Sequence, residues 1–112
     1  MADVLQEAGL TVTDATGAIL IQGATDKRMT VLSIHICNTH ASNDETFSVW
    51  RTDLDGSSNP KYLYFTQSLP AKATFVIADK IVCGATTELW VGSPSASADI
   101  DVHASYLDSD VS

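Results

Sequence analysis

Basic residues are scarce in this chain. Lys and Arg together number 6 of 112 residues, against 14 Asp and Glu, for a formal charge of -8. Phosphate recognition needs clustered cations, so this balance argues against a nucleic-acid partner. It argues equally against docking on an anionic membrane surface. There are 2 cysteines, too few for a disulfide scaffold. Cys37 and Cys83 read as reduced, buried thiols made in a cytoplasm. No apolar run approaches the roughly 20 residues that span a bilayer. The opening stretch, Met1 to Gly17, carries acids and no basic leader before an apolar run, so it is not expected to act as a secretory signal. Helical periodicity is almost missing as well. Only Asp3 to Ala8 could form a turn or two of helix, too short to stand by itself.

What the chain does have is a globular share of apolar residues, 45%, distributed in short β-branched or aromatic runs. A chain of this length is expected to form one domain, residues 1–112, and to bury roughly 65% of its unfolded surface. Strands are expected near Gly17–Ile21, Met29–Asn38, Glu45–Thr52, Lys61–Thr66, Ala73–Ile77, Lys80–Cys83, Glu88–Gly92 and Ala98–Tyr106. Turn chemistry separates them: Gly23 to Asp26, Asn38 to Asn43, Asp53 to Pro60, Ser68 to Pro70, Gly84, and Gly92 to Ser95. About eight short strands with such punctuation predict an all-β, antiparallel sandwich of jelly-roll or immunoglobulin-like topology. Residues 1–8 read as an arm and residues 108–112 as a flexible polar tail.

Alternation assigns faces to these strands. Ile100, Val102, Ala104 and Tyr106 alternate with Asp99, Asp101, His103 and Ser105, a half-buried pattern. The expected core is Leu32, Ile34, Ile36, Phe47, Val49, Leu89, Val91, Ile100, Val102 and Ala104. Two strands look apolar on both faces. Opposite Leu32, Ile34 and Ile36 lie Met29, Val31, Ser33, His35 and Cys37; Tyr62 and Tyr64 lie opposite Leu63 and Phe65. A sandwich covers one face of a strand, and a second chain is the simplest cover for the other. Trp50 and Trp90 also fall on faces that should be wet, beside Thr46 and Ser48 and beside Glu88. A bulge that shifts the parity, a subunit interface, or a sugar-stacking platform would each account for them. Met29, Val31, Trp50, Tyr62, Tyr64 and Trp90 are therefore the candidate interface with another chain.

Chemistry-bearing patterns are thin. His35, His40 and His103 could join Cys37 at a metal, since residues two apart share a strand face, but no second chelating pair follows. The loop Asp53 to Asn59 resembles part of a calcium loop and lacks the closing bidentate Glu. His103 between Asp101 and Ser105 reads as a solvated sheet face. There is no Gly-x-Ser-x-Gly elbow, catalytic-cysteine signature or Gly-rich phosphate loop. The expectation is a non-enzyme with no catalytic residue, cofactor or metal.

One outline is familiar. An apolar strand ends in Cys37-Asn38-Thr39, an acidic turn leads to Phe47-Ser48-Val49, and a turn follows at Leu69-Pro70-Ala71. Val82-Cys83-Gly84 then precedes Leu89-Trp90-Val91, and a last strand runs Val102 to Tyr106. From about Thr30 to Asp108 this resembles small virion structural proteins of tailed bacteriophages. The resemblance implies a β-sandwich that decorates a capsid as cement, bound to the major capsid protein and assembled as a homotrimer, with neck or tail proteins as the other placement. It implies a virion location after synthesis in the host cytoplasm, and it carries no catalytic residues. A carbohydrate- or receptor-binding module of a tail fibre, with Trp50, Trp90, Tyr62 and Tyr64 stacking on sugar, is the competing reading of the aromatic residues.

Overall fold

The computed structural model describes residues 3–14, 16–53, 60–93 and 99–110. The expected loop between Asp53 and Pro60, the residues Pro94 to Ala98, and the last two residues of the tail lie outside that set for the most part or entirely. The described residues contain no helix and nine strands: β1 (Asp3–Val12), β2 (Ala18–Gln22), β3 (Lys27–Asn38), β4 (Glu45–Asp53), β5 (Lys61–Leu69), β6 (Thr74–Ile77), β7 (Ile81–Cys83), β8 (Thr87–Gly92) and β9 (Ile100–Asp110). They form two antiparallel sheets. One has the order β1-β9-β3-β6, with β7 also pairing β3, and the other has the order β2-β8-β4-β5. The expected all-β antiparallel sandwich is the observed fold class.

The pairing is nested. β4 pairs β5, β3 pairs β6 and β7, β2 pairs β8, and β1 pairs β9. The chain is thus one long hairpin, and rolling it brings β9 beside β3 and β8 beside β4. That wrap is the jelly roll, the first of the two topologies the sequence left open. Between the sheets lies the core, with Val31, Ile34, Ile36, Phe47, Val49, Leu89, Val91 and Ile100 fully buried.

Three expectations are corrected. The segment Asp3–Ala8 is neither helix nor free arm but part of β1, in unbroken register with β9 from Asp3↔Ser109 to Val12↔Ile100. Its partner lies at the other end of the chain, beyond the reach of local propensity. Asp108 to Asp110 likewise belong to β9, where Lys27 on β3 meets the carboxylates of Asp108 and Asp110. The third correction concerns β3. Val31 pairs with Tyr106 and Ser33 with Ser105, so Leu32 is the extra residue of a bulge. The bulge reverses the parity midway. Met29 and Val31 point into the core together with Ile34 and Ile36, and Leu32 is 37% exposed. β3 therefore has one apolar face bent around a bulge, and Met29 and Val31 are unavailable to a second chain.

Candidate functional site

The wet-face assignment of the two tryptophans stands. Phe47 and Val49 enter the core, so Ser48 and Trp50 point outward from β4. Leu89 and Val91 do the same on β8, which turns Glu88 and Trp90 outward. Register then aligns them. Ile19 sits opposite Trp90, Trp90 opposite Trp50, and Trp50 opposite Tyr62, a row across all four strands of the second sheet. The Trp50 and Trp90 rings are 6.2 Å apart and 15° from parallel, and Trp50 and Tyr62 are 5.6 Å apart at 41°. These lie within the range where aromatic pairs attract beyond their buried area.

β5 extends the row in an unexpected way. Residues 62 and 65 should lie on opposite faces of a regular strand. The register instead slips twice, from Phe47↔Gln67 to Val49↔Tyr64 to Trp50↔Tyr62. Thr66 takes a left-handed φ of 48°, and its N–H donates to Ser48 Oγ at 2.9 Å, which closes one irregularity. Phe65 then meets Tyr62 edge to face at 4.8 Å and remains 66% exposed. Trp50, Tyr62 and Phe65 wall a cleft of about 230 Å³, completed by Ser48, Thr66, Gly92 and Ser93.

The same slips separate Tyr64 from Tyr62, against the expectation that both share a face. Tyr64 is opposite Val49 and packs on Phe47 and Phe75, at 6.3 and 5.5 Å. Its hydroxyl donates to Asp79 Oδ2 at 3.3 Å, and burial, with the Asp79 charge, pushes the phenol upward. Of the six candidate interface residues, then, Trp50, Tyr62 and Trp90 come together outside, while Tyr64 packs against the core and Met29 and Val31 belong to it.

Two supports hold the row. The Trp90 indole N–H donates to Glu88 Oε1 at 3.2 Å, and Glu88 is only 1% exposed beneath it. A buried carboxylate needs such a donor, and it fixes the ring's rotamer in return. Behind Trp50 stands Gly17, with φ of 80°. A Cβ there would lie 2.7 Å from the Val91 carbonyl oxygen and 2.8 Å from Trp50 Cη2, so the turn before β2 closes directly on the indole edge. Neither support has a sequence motif. Phe65 could have been found only by knowing that β5 bulges.

The histidines do not meet as a set. His35 and His103 are opposite one another on the outer face of the other sheet, and His103 Nε2 is 3.8 Å from Glu7. His40 serves its own loop, where Nδ1 accepts the N–H groups of Ser42 and Asn43 at 3.1 and 2.9 Å. Among the described residues no three metal-ligating side chains are grouped. Cys83 is opposite Met29 at one end of β3 and Cys37 stands eight residues further along it, roughly 25 Å at strand rise. A disulfide needs Cα atoms within about 7 Å.

No family model matches the chain, and no curated protein does. Solved structures do. The CBM22-1 xylan-binding domain of Paenibacillus barcinonensis Xyn10C aligns with 92% of this chain and 70% of its own, at 15% identity and a TM-score of 0.51. What the two share is the fold. A T13 viral particle of IBDV aligns with 95% of this chain and 30% of its own, at 9% identity and a TM-score of 0.45.

Proposed function

We propose that the protein is a structural protein of a bacteriophage virion, a capsid decoration protein that binds the outer face of the major capsid lattice and stabilises the head. The observation that carries this reading is the apolar surface left outside the jelly roll. β5 exposes Tyr62, Leu63 and Phe65 on the second sheet, and Leu32, Val76 and Val82 are exposed on the outer side of the first. Contiguous apolar patches on a solvated domain mark surfaces that meet a partner. The outline from Thr30 to Asp108 supports the same reading, and jelly rolls are used by capsid and lectin domains alike. Fold by itself does not decide between them.

The physical task is mass action. A ligand that binds only the assembled lattice stabilises that lattice, and many weak copies act together. Homotrimers would match shell symmetry, with neighbouring copies and the shell both met through the first sheet at Leu32, Val76 and Val82. The acidic surface then stays outward, where charge repulsion between copies costs least. Quantitative mass spectrometry of purified virions tests the placement. Hundreds of copies per particle are expected. About a dozen would move the protein to the neck or tail, and none would overturn the reading. Light scattering of the purified chain tests the trimer.

A further inference from the structure

We infer that the cleft between β4 and β5 binds one ring of a neutral carbohydrate. A pyranose ring has apolar C–H faces and a hydroxyl rim, so its site needs aromatic surface with a few polar groups at the edge. The cleft has that composition. Trp50, Tyr62 and Phe65 supply the aromatic wall, and the hydroxyls of Ser48 and Thr66 lie at the edge, the latter donating to the Phe65 carbonyl and open to accept. Ser48 Oγ accepts from the Thr66 N–H, which leaves its own O–H to donate outward.

Size and charge narrow the occupant. About 230 Å³ is below the roughly 300–1,000 Å³ of sites that engulf a drug-sized ligand, so one ring enters and the rest of a longer glycan stays in water. An extended proline-rich peptide would need a groove several residues long at about 3.1 Å per residue. Among the described residues no ionisable carboxylate, amine or imidazole lines the cleft, and a net charge of -8 repels nucleic acids and acidic sugars. The wall is also held in place before any ligand arrives. Trp50 lies between Trp90 and Tyr62 with Gly17 against its edge, and Trp90 is tied to Glu88. Such preorganisation lowers the entropy lost on binding.

This inference rests on the cleft and not on capsid decoration. The experiment is a glycan array with the full chain, followed by titration of tryptophan fluorescence with the neutral oligosaccharides that score. Binding of neutral pentose or hexose oligomers is expected, with a shift in emission because Trp50 lines the cleft. Affinity should hold from low to physiological ionic strength. Tyr62→Ala and Phe65→Ala should each weaken binding about tenfold. Both side chains are more than half exposed, so the variants should keep the parent's melting profile. Val82→Ala, on the opposite sheet, should bind as the parent does. Four results would overturn the inference: no neutral glycan bound, glycan binding untouched by both cleft substitutions, binding confined to acidic glycans, or binding of choline or a proline-rich peptide without any sugar. A chain that decorates capsids but binds no sugar would remove the cleft's role and leave the shell reading intact.

Discussion

Burial of Cys83 pushes its thiol up from an ordinary 9.0 to about 11, against the opposing pull of Thr87 and Arg51. The folded chain holds that proton more tightly than the unfolded chain. Its contribution to stability is therefore complete below about pH 9 and is lost as pH rises through about 11. A shift of that size corresponds to about 2–3 kcal/mol at full titration. Tyr64, raised by burial and Asp79, and Lys27, raised chiefly by its bond to Asp110, act in the same direction. Urea midpoints should thus fall steadily from pH 8.5 upward, and Cys83→Ala should flatten part of that slope. An unchanged slope would show that the thiol is not the titrating group. Gly17 carries a second prediction. Alanine there must adopt a left-handed φ and also displace Val91 or Trp50. A loss of about 1–3 kcal/mol is expected, with altered tryptophan emission, whereas a mere gain in chain stiffness would stabilise by under about 1 kcal/mol.

Elements here owe their faces to their irregularities. β3 reads as two-faced because strict alternation is applied across a bulge at Leu32, whereas β5 does carry apolar side chains on both faces and its two register slips change which ones, turning Tyr64 inward and leaving Tyr62 and Phe65 outside. The β3 assignment can be tested by truncation. Met29→Ala and Ile34→Ala should each cost about 2–4 kcal/mol in chemical denaturation, although they flank the bulge at opposite parity. Leu32→Ala should cost under about 1 kcal/mol. A large loss at Leu32 with little at Met29 would restore the unbulged strand. β1 offers a complementary test. Loss of a free arm would cost nothing, whereas removing residues 1–8 should strip the pairing partners of β9 from Ala104 to Ser109. An exposed edge of that length is a template for association. The truncated chain is therefore expected to melt earlier and to aggregate on melting.

At the scale of the whole molecule, the nested hairpin makes almost every pairing long-range, and β1 with β9 closes the longest loop. Such a topology folds slowly, in milliseconds to seconds rather than microseconds. Net charge acts at the same scale. With 14 acids against 6 basic residues, self-repulsion opposes the compact state. Raising ionic strength from about 0.01 M to 0.15 M shortens the Debye length from about 30 Å to about 8 Å. The melting temperature should rise by a few degrees over that range. A fall instead would mean that the ion pairs of Lys27 with Asp108 and Asp110 outweigh the general repulsion.

Composition and alternation were enough to set the fold class, eight of the nine described strands and about half of the core, because a half-buried strand must alternate and a turn must carry turn residues. They also placed Trp50 and Trp90 on the outside. Three things waited for tertiary structure. β1 needed β9, since an edge strand with few inward apolar residues is defined by its partner. Met29, Val31 and Tyr64 needed the bulges, which arise from cross-strand hydrogen bonding and leave no local trace. The cleft needed all of it at once: Phe65 reaches Tyr62 only through the slipped register of β5, and Trp50 is held between rings supplied by the strands on either side of it.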